Sequence, residues 1–261
     1  MYKDISLVIE ERVLTISIER PTVSNALAKD TYDEIRRAVA CAQDDGSVGC
    51  IVITGVGKNF SAGGDIARFK QLIDSKTYLQ ETDIRKAAEM SAAIRHSAKP
   101  VIAMVNGTAA GAGLSLALAC DMRTGTCKSK LVMAFVKMGL SGDTGCIFFL
   151  NKLIGAGRAA ELMMTGRPVG GEEAYRLGLL NVLAEEDKLA EETYCLASGL
   201  AASPLYAIAR QKELVNTYFY GDLDAFAMPE ARYMAGCSRT HDFEEAVNAF
   251  LEKRRPSFTG T

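Results

Sequence analysis

Two short glycine-rich segments hold the chemistry that a backbone can perform. Phe60-Ser61-Ala62-Gly63-Gly64-Asp65-Ile66 and Asn106-Gly107-Thr108-Ala109-Ala110-Gly111-Ala112-Gly113 each follow an apolar run of the buried-strand kind and lead into a helical pattern. A helix start leaves several N–H groups unpaired, and small residues let a ligand oxygen come close to them. Two such ends brought together would aim two N–H donors at one oxygen, which is what an oxyanion hole requires. Either segment alone is better explained by a plainer reading, in which glycines permit tight turns and close helix packing. The second also shares part of a dinucleotide fingerprint, but Gly111-Ala112-Gly113-Leu114-Ser115-Leu116 lacks the third glycine, and no acidic residue closes a second strand.

The remaining reactive residue types point to less. His96 and His241 lie far apart and flank no acidic cluster, so a histidine metal site is not expected and no metal is assigned. Ser115 falls inside a helical pattern without a Gly-x-Ser-x-Gly turn or a histidine partner, which argues against a serine nucleophile. Asp143, in Gly142-Asp143-Thr144-Gly145 before Ile147-Phe148-Phe149-Leu150, fits a helix N-cap. Met133, Met138, Met163 and Met164 read as core filler. The seven cysteines are odd in number and contain no Cys-x-x-Cys pair, so they read as buried small hydrophobes in a reducing compartment. Lys253, Arg254 and Arg255 form the one local basic cluster, of a kind expected in a last helical turn.

The elements that must position the two turns can be read along the chain. Ile5–Ile9 and Val13–Ile18 alternate as a hairpin would, and Lys29–Gln43 places Tyr32, Ile35, Val39 and Ala42 on one helical face. Cys50–Gly55 and Pro100–Val105 are buried strands, Ile66–Ser75, Thr82–Ser97 and Gly111–Cys120 helices, and Met122–Thr126 and Leu131–Ala134 further strands. From Gly142 the chain reads as mainly helical, ending in Phe243–Arg254. Strands alternating with helices, followed by helices alone, predict an α/β core with a helical C-terminal extension. At 261 residues one main domain is expected. The formal charge of −2 without a polybasic block leaves no footprint for nucleic acid or an anionic membrane. With no apolar signal core at the start and no apolar stretch of about 18 residues, a cytoplasmic protein is expected.

With both turns in place, the whole chain resembles the enoyl-CoA hydratase/isomerase (crotonase) family. Arg20-Pro21 with Asn25-Ala26-Leu27 is similar to the family's early CoA-contacting segment, and the two turns are similar to its two oxyanion loops. Ala249–Pro256 resembles the C-terminal helix that in this family reaches a neighbouring subunit's CoA. The resemblance implies an α/β spiral of ββα units, residues 1–195, with a helical trimerisation region, residues 196–261. It implies a homotrimer or dimer of trimers and an acyl-CoA thioester as partner, with no cofactor beyond the CoA of the substrate. By position it makes the N–H groups of Gly64 and Ala112 the oxyanion donors, and Ala26, Ala62, Asp65, Ile66, Phe135, Phe250 and Lys253 the substrate contacts.

Where hydratases of the family carry two glutamates, this chain has Ser115 and Phe135, neither of which can act as a carboxylate base. The segment Ala134–Gly145 instead resembles the branch that includes the epoxyphenylacetyl-CoA ring-expanding isomerase, in which a lone aspartate at the position of Asp143 moves the proton. One carboxylate suffices to shift a double bond, whereas adding water needs a second group to orient it. Phe135 would dry the pocket and raise the Asp143 pKa. The resemblance therefore implies an isomerase of unsaturated acyl-CoA, with a hydratase, or a non-catalytic acyl-CoA-binding subunit, as the alternatives. Ile66 to Tyr78, Phe135 and Phe148 or Phe149 are the expected pocket walls.

Overall fold

The computed structural model describes residues 2–261. An antiparallel hairpin, β1 (Ile5–Glu10) and β2 (Val13–Ile18), opens the chain and turns through Glu11 and Arg12, both at positive φ. α1 (Lys29–Asp44) follows. Its Tyr32, Ile35, Ala38, Val39 and Ala42 recur at helical spacing and are all buried. Aliphatic side chains of the size of Ile35 and Val39 contribute about 1.5–3 kcal/mol each when fully buried.

The chain then makes three turns of a spiral, each sending one strand to a large sheet, a short segment to a second sheet, and a helix behind them. The first runs through β3 (Cys50–Gly55), a single bridge at Ser61, α2 (Ile66–Asp74) and α3 (Glu81–His96). The second is β4 (Val101–Val105), β5 (Thr108–Ala110) and α4 (Ala112–Ala119), and the third β6 (Met122–Thr126), β7 (Lys130–Val132) and α5 (Cys146–Thr165), the last broken at Gly155. β8 (Pro168–Gly170), α6 (Gly171–Leu177), β9 (Val182–Ala184) and α7 (Leu189–Ala201) complete the core. The large sheet runs β1-β2-β3-β4-β6-β9, parallel after the hairpin, and the small one β5-β7-β8.

α8 (Leu205–Phe219), α9 (Leu223–Cys237) and α10 (His241–Leu251) close the chain. They are tied to the core by polar contacts. Lys212 of α8 donates to the Lys99 carbonyl at 2.8 Å, and buried Arg95 of α3 donates to Asn216 at 2.7 Å and to Asp121 at 3.2 Å. A division of the chain at residue 195 falls inside α7.

The long elements stand where the sequence predicts them, while several short ones do not. β5, β8 and β9, of three residues each, were not expected, because three residues carry no periodicity to read. The strand expected over Leu131–Ala134 ends at Val132, and Ala134–Met138 coils into a 3-10 turn. All seven cysteines are free, but Cys41, Cys127 and Cys195 are exposed rather than buried. Met164 is 75% exposed, so it fills no core.

Candidate active site

The register of the parallel strands sets the site. Ile53 pairs with Ala103, and Ala103 with Arg123, so β3 and β4 run in step and their C-terminal loops emerge side by side. The loops are stitched together: Ser61 N donates to Thr108 O at 3.0 Å, and Ala110 N to Ser61 O at 2.9 Å. The approach is close enough to demand glycine. A Cβ on Gly63, whose φ is +90°, would fall 2.5 Å from the Ala110 carbonyl oxygen and 3.3 Å from the Ala112 nitrogen. Gly111, at φ 51° and ψ −125°, turns the chain directly into α4. Neither the Gly64 nor the Ala112 N–H finds an acceptor among the described residues. Both residues line one apolar lobe, with Ala62, Ile66, Phe69, Gly111, Phe135, Met138, Leu140 and Met234 around them.

Asp143 is the one acidic residue lining that lobe among the described residues. It sits in a loop with positive φ at Gly142, Thr144 and Gly145, the middle one a non-glycine in the left-handed region at 54°. The helix that follows starts at Cys146 with Gly145 as its cap. Asp143 is therefore not the N-cap the sequence allows, and only its carbonyl accepts from Cys146 N, at 3.1 Å. Its carboxylate has a single short partner, the Thr144 hydroxyl at 3.1 Å. Burial raises the Asp143 pKa to about 6, against the lowering effects of that hydroxyl and the Arg68 charge. A second lobe shares Gly64, Phe69, Asp143 and Met234 with the first and extends past Leu79, Ile84 and Ala87 to Tyr32, Arg68 and Asp83.

The structure thus brings Gly64, Ala112, Asp143, Ala62, Ile66 and Phe135 together, with the Phe135 ring 3.8 Å from where a Gly111 Cβ would stand. Asp65 lines the second lobe, but its carboxylate is engaged: it caps α2 through Ala67 N at 3.0 Å and pairs with Arg20 at 3.0 Å. Ala26 is buried and lines neither lobe, its carbonyl accepting from Arg20. Phe250 and Lys253 are exposed at the end of α10, away from both lobes of their own chain. Phe148 and Phe149 pack with Tyr220 in the core and line neither lobe. Ser115 is no nucleophile. It is fully buried, and its hydroxyl donates to the Gly111 and Asp143 carbonyls at 3.3 and 3.2 Å.

Sequence reasoning missed Leu140 and Met234 on the walls. Phe69 fell within the expected wall segment without being singled out, although it stands one turn after Ile66. Met234 lies 91 residues beyond Asp143 on α9, and nothing in its local sequence signals the cleft. Among the described residues no group of three or more His, Cys, Asp and Glu is placed to hold a metal ion, and no helix is long and apolar enough to cross a membrane.

Chemically, the lobe offers two free backbone donors on one side and a buried, weakly acidic carboxyl on the other. Such a site can polarise a carbonyl and exchange a proton with a carbon beside it. Known proteins similar to this chain include both isomerases and hydratases. The trans-2-decenoyl-[acyl-carrier-protein] isomerase of Streptococcus mutans is 31% identical over 260 residues, covering 99% of each chain. The 1,2-epoxyphenylacetyl-CoA isomerase of Escherichia coli is 31% identical over 255 residues, covering 97% of each. The crystal structure of an enoyl-CoA hydratase from Mycobacterium avium subsp. paratuberculosis superposes with a TM-score of 0.90 at 27% identity, covering 99% of this chain and 100% of that one. The fold is therefore the crotonase fold. Residues 8–261 match the enoyl-CoA hydratase/isomerase family, and the chain is a member of it.

Proposed function

We propose that the protein isomerises the double bond of an unsaturated acyl-CoA. The N–H groups of Gly64 and Ala112 hold the thioester oxygen as negative charge builds on it, and Asp143 takes a proton from one carbon and returns it to another. The observation that carries this reading is the setting of Asp143: a buried carboxyl, with its pKa raised to about 6, in the same lobe as the two free donors. A carboxyl of that strength is ionised at neutral pH, yet basic enough to accept a proton from a carbon whose acidity the oxyanion hole has raised. Among the described residues the lobe contains no second carboxylate to orient water, Ser115 being occupied and Phe135 apolar, which favours isomerisation over hydration.

The thioester carrier is read as CoA and the assembly as a trimer or a dimer of trimers. In that assembly a neighbouring protomer would bring its Phe250 and Lys253 to this cleft. Their exposure in the single chain, 60% for Phe250, suits such a role. The reaction is tested by incubating the enzyme with matched 2-enoyl- and 3-enoyl-CoA in D₂O and analysing products by mass spectrometry. Migration of the double bond with deuterium uptake and no added water is expected. Addition of water would make the protein a hydratase, and tight binding without exchange a non-catalytic acyl-CoA-binding subunit.

A further inference from the structure

The loop that carries Asp143 has three residues at positive φ, one of them a threonine, and forms no helix or strand of its own. Its conformation is imposed from outside. Ser115, on α4, donates to the Asp143 carbonyl at 3.2 Å, and Ser91, on α3, donates to the Thr144 carbonyl at 2.8 Å. The third hold comes from α9, where Glu230 Oε2 accepts the Gly145 N–H at 2.8 Å. Glu230 is only 6% exposed, and its other oxygen, Oε1, is buried with no partner among the described residues. Met234, one helical turn further along α9, lines both lobes.

A buried carboxyl with an empty oxygen is costly, which argues that its position is needed. The Gly145 amide has no acceptor within α5 and, without Glu230, would be left without a partner. We infer that Glu230 is a positioning residue for Asp143: it pins the Gly145 N–H, fixes the left-handed turn through Thr144, and so sets the direction of the Asp143 carboxylate toward the cleft. The inference rests on the reading of Asp143 as the proton carrier. Burial and the neighbouring Asp143 charge push the Glu230 carboxyl up to about 8, so at neutral pH it is the uncharged acid, which still accepts the amide hydrogen bond.

A positioning role makes a demand opposite to that of a role in proton transfer. Glu230→Gln keeps the length of the side chain and an acceptor oxygen and loses the titratable group. Glu230→Asp keeps the acid and loses the reach to Gly145. Steady-state isomerisation of an enoyl-CoA by wild type, E230Q, E230D and D143N tests this. E230Q is expected within about threefold of wild-type kcat, and E230D at least roughly tenfold lower in kcat with KM changed by less than about threefold. Activity kept in E230D and lost in E230Q would overturn the inference in favour of a chemical role for the carboxyl. Equal losses, equal retention, or an effect on KM alone would overturn it as well. Should D143N retain wild-type turnover, the proton-carrier reading itself falls, whatever the Glu230 variants do.

Discussion

The two sides of the cleft are built by different means. The donor side is backbone, two glycine turns that leave adjacent parallel strands in register and brace each other through Ser61, Thr108 and Ala110. The acid side is one side chain on a left-handed turn held, beyond its own Cys146 N–H bond to the Asp143 carbonyl, by residues 28, 53 and 85 positions away in sequence: Ser115, Ser91 and Glu230. A main-chain donor cannot be mutated away, and it does not titrate. A carboxylate can be both removed and retuned. On the proposed reading the donor side is therefore fixed by the fold, while the reaction is chosen on the acid side.

The sharpest way to break that comparison is to remove the carboxylate alone. Asp143→Asn preserves volume and leaves the donors untouched. If Asp143 moves the proton, kcat for double-bond migration is expected to fall roughly 100- to 10,000-fold, the range typical of general acid–base groups. Binding of the acyl-CoA, measured by calorimetry, should stay within a few-fold. Turnover within a few-fold of wild type would remove Asp143 from the mechanism.

Breaking the donor side takes a change of shape. Gly63→Ala would put a methyl 2.5 Å from the Ala110 carbonyl oxygen at a φ of +90° and force the two turns apart. Loss of one oxyanion donor typically costs about 3 kcal/mol of barrier, or roughly 100-fold in kcat, and that is the expected size here. Deuterium exchange into bound ligand should fall in parallel. Exchange that persisted at the wild-type rate would mean that the donors do not hold the thioester oxygen.

The pH profile separates the sides without mutation, since only the acid side titrates. With its pKa raised to about 6, Asp143 must lose its proton to act as a base, so kcat/KM should rise about tenfold per pH unit below about 6 and level off above it. A limb near 4 would show that the carboxyl is wetter in the working enzyme than its burial implies. Ser115→Ala probes the link between the sides, because this serine stands on the donor helix and holds the Asp143 carbonyl. A hydrogen bond worth about 1 kcal/mol predicts a loss of roughly fivefold in kcat.

The same division explains what the sequence revealed. Gly63, Gly64, Gly111 and Gly113 were legible because close backbone approach leaves a compositional mark, and α1 because its apolar face repeats over four turns. Asp143 became a candidate through resemblance, while its local pattern pointed to a helix cap that the structure assigns to Gly145. Met234 and Glu230 were invisible. Their positions come from the packing of α9 on α3 and beside the Asp143 loop, and a buried glutamate on a helix carries no mark in sequence that it faces inward. The short strands β5, β8 and β9 were lost for a related reason, since each is defined by its partner rather than by its own residues.

A further expected effect concerns stability rather than rate. Glu230 in the folded protein has its pKa raised from 4.5 to about 8, so between those values the native state keeps a proton that the unfolded chain has released. Stability must then fall as pH rises through that window and flatten above it, the reverse of the behaviour of an ion-paired carboxylate. Asp143, raised from 3.8 to about 6, adds to the same slope at its acid end. Of the other charged groups near this loop, Arg68 faces the cleft and its charge lowers the Asp143 pKa, while Arg85, Glu89 and Asp224 line an open depression beside Thr144 and Gly145, where water screens them. Glu230→Gln deletes the Glu230 contribution while preserving the contact with Gly145. Thermal unfolding curves of wild type and E230Q should therefore lie close together near pH 4.5 and separate toward pH 8, with E230Q the more stable. Parallel curves would mean that Glu230 is already ionised in the folded protein, so that the acid side of this cleft carries a second fixed negative charge.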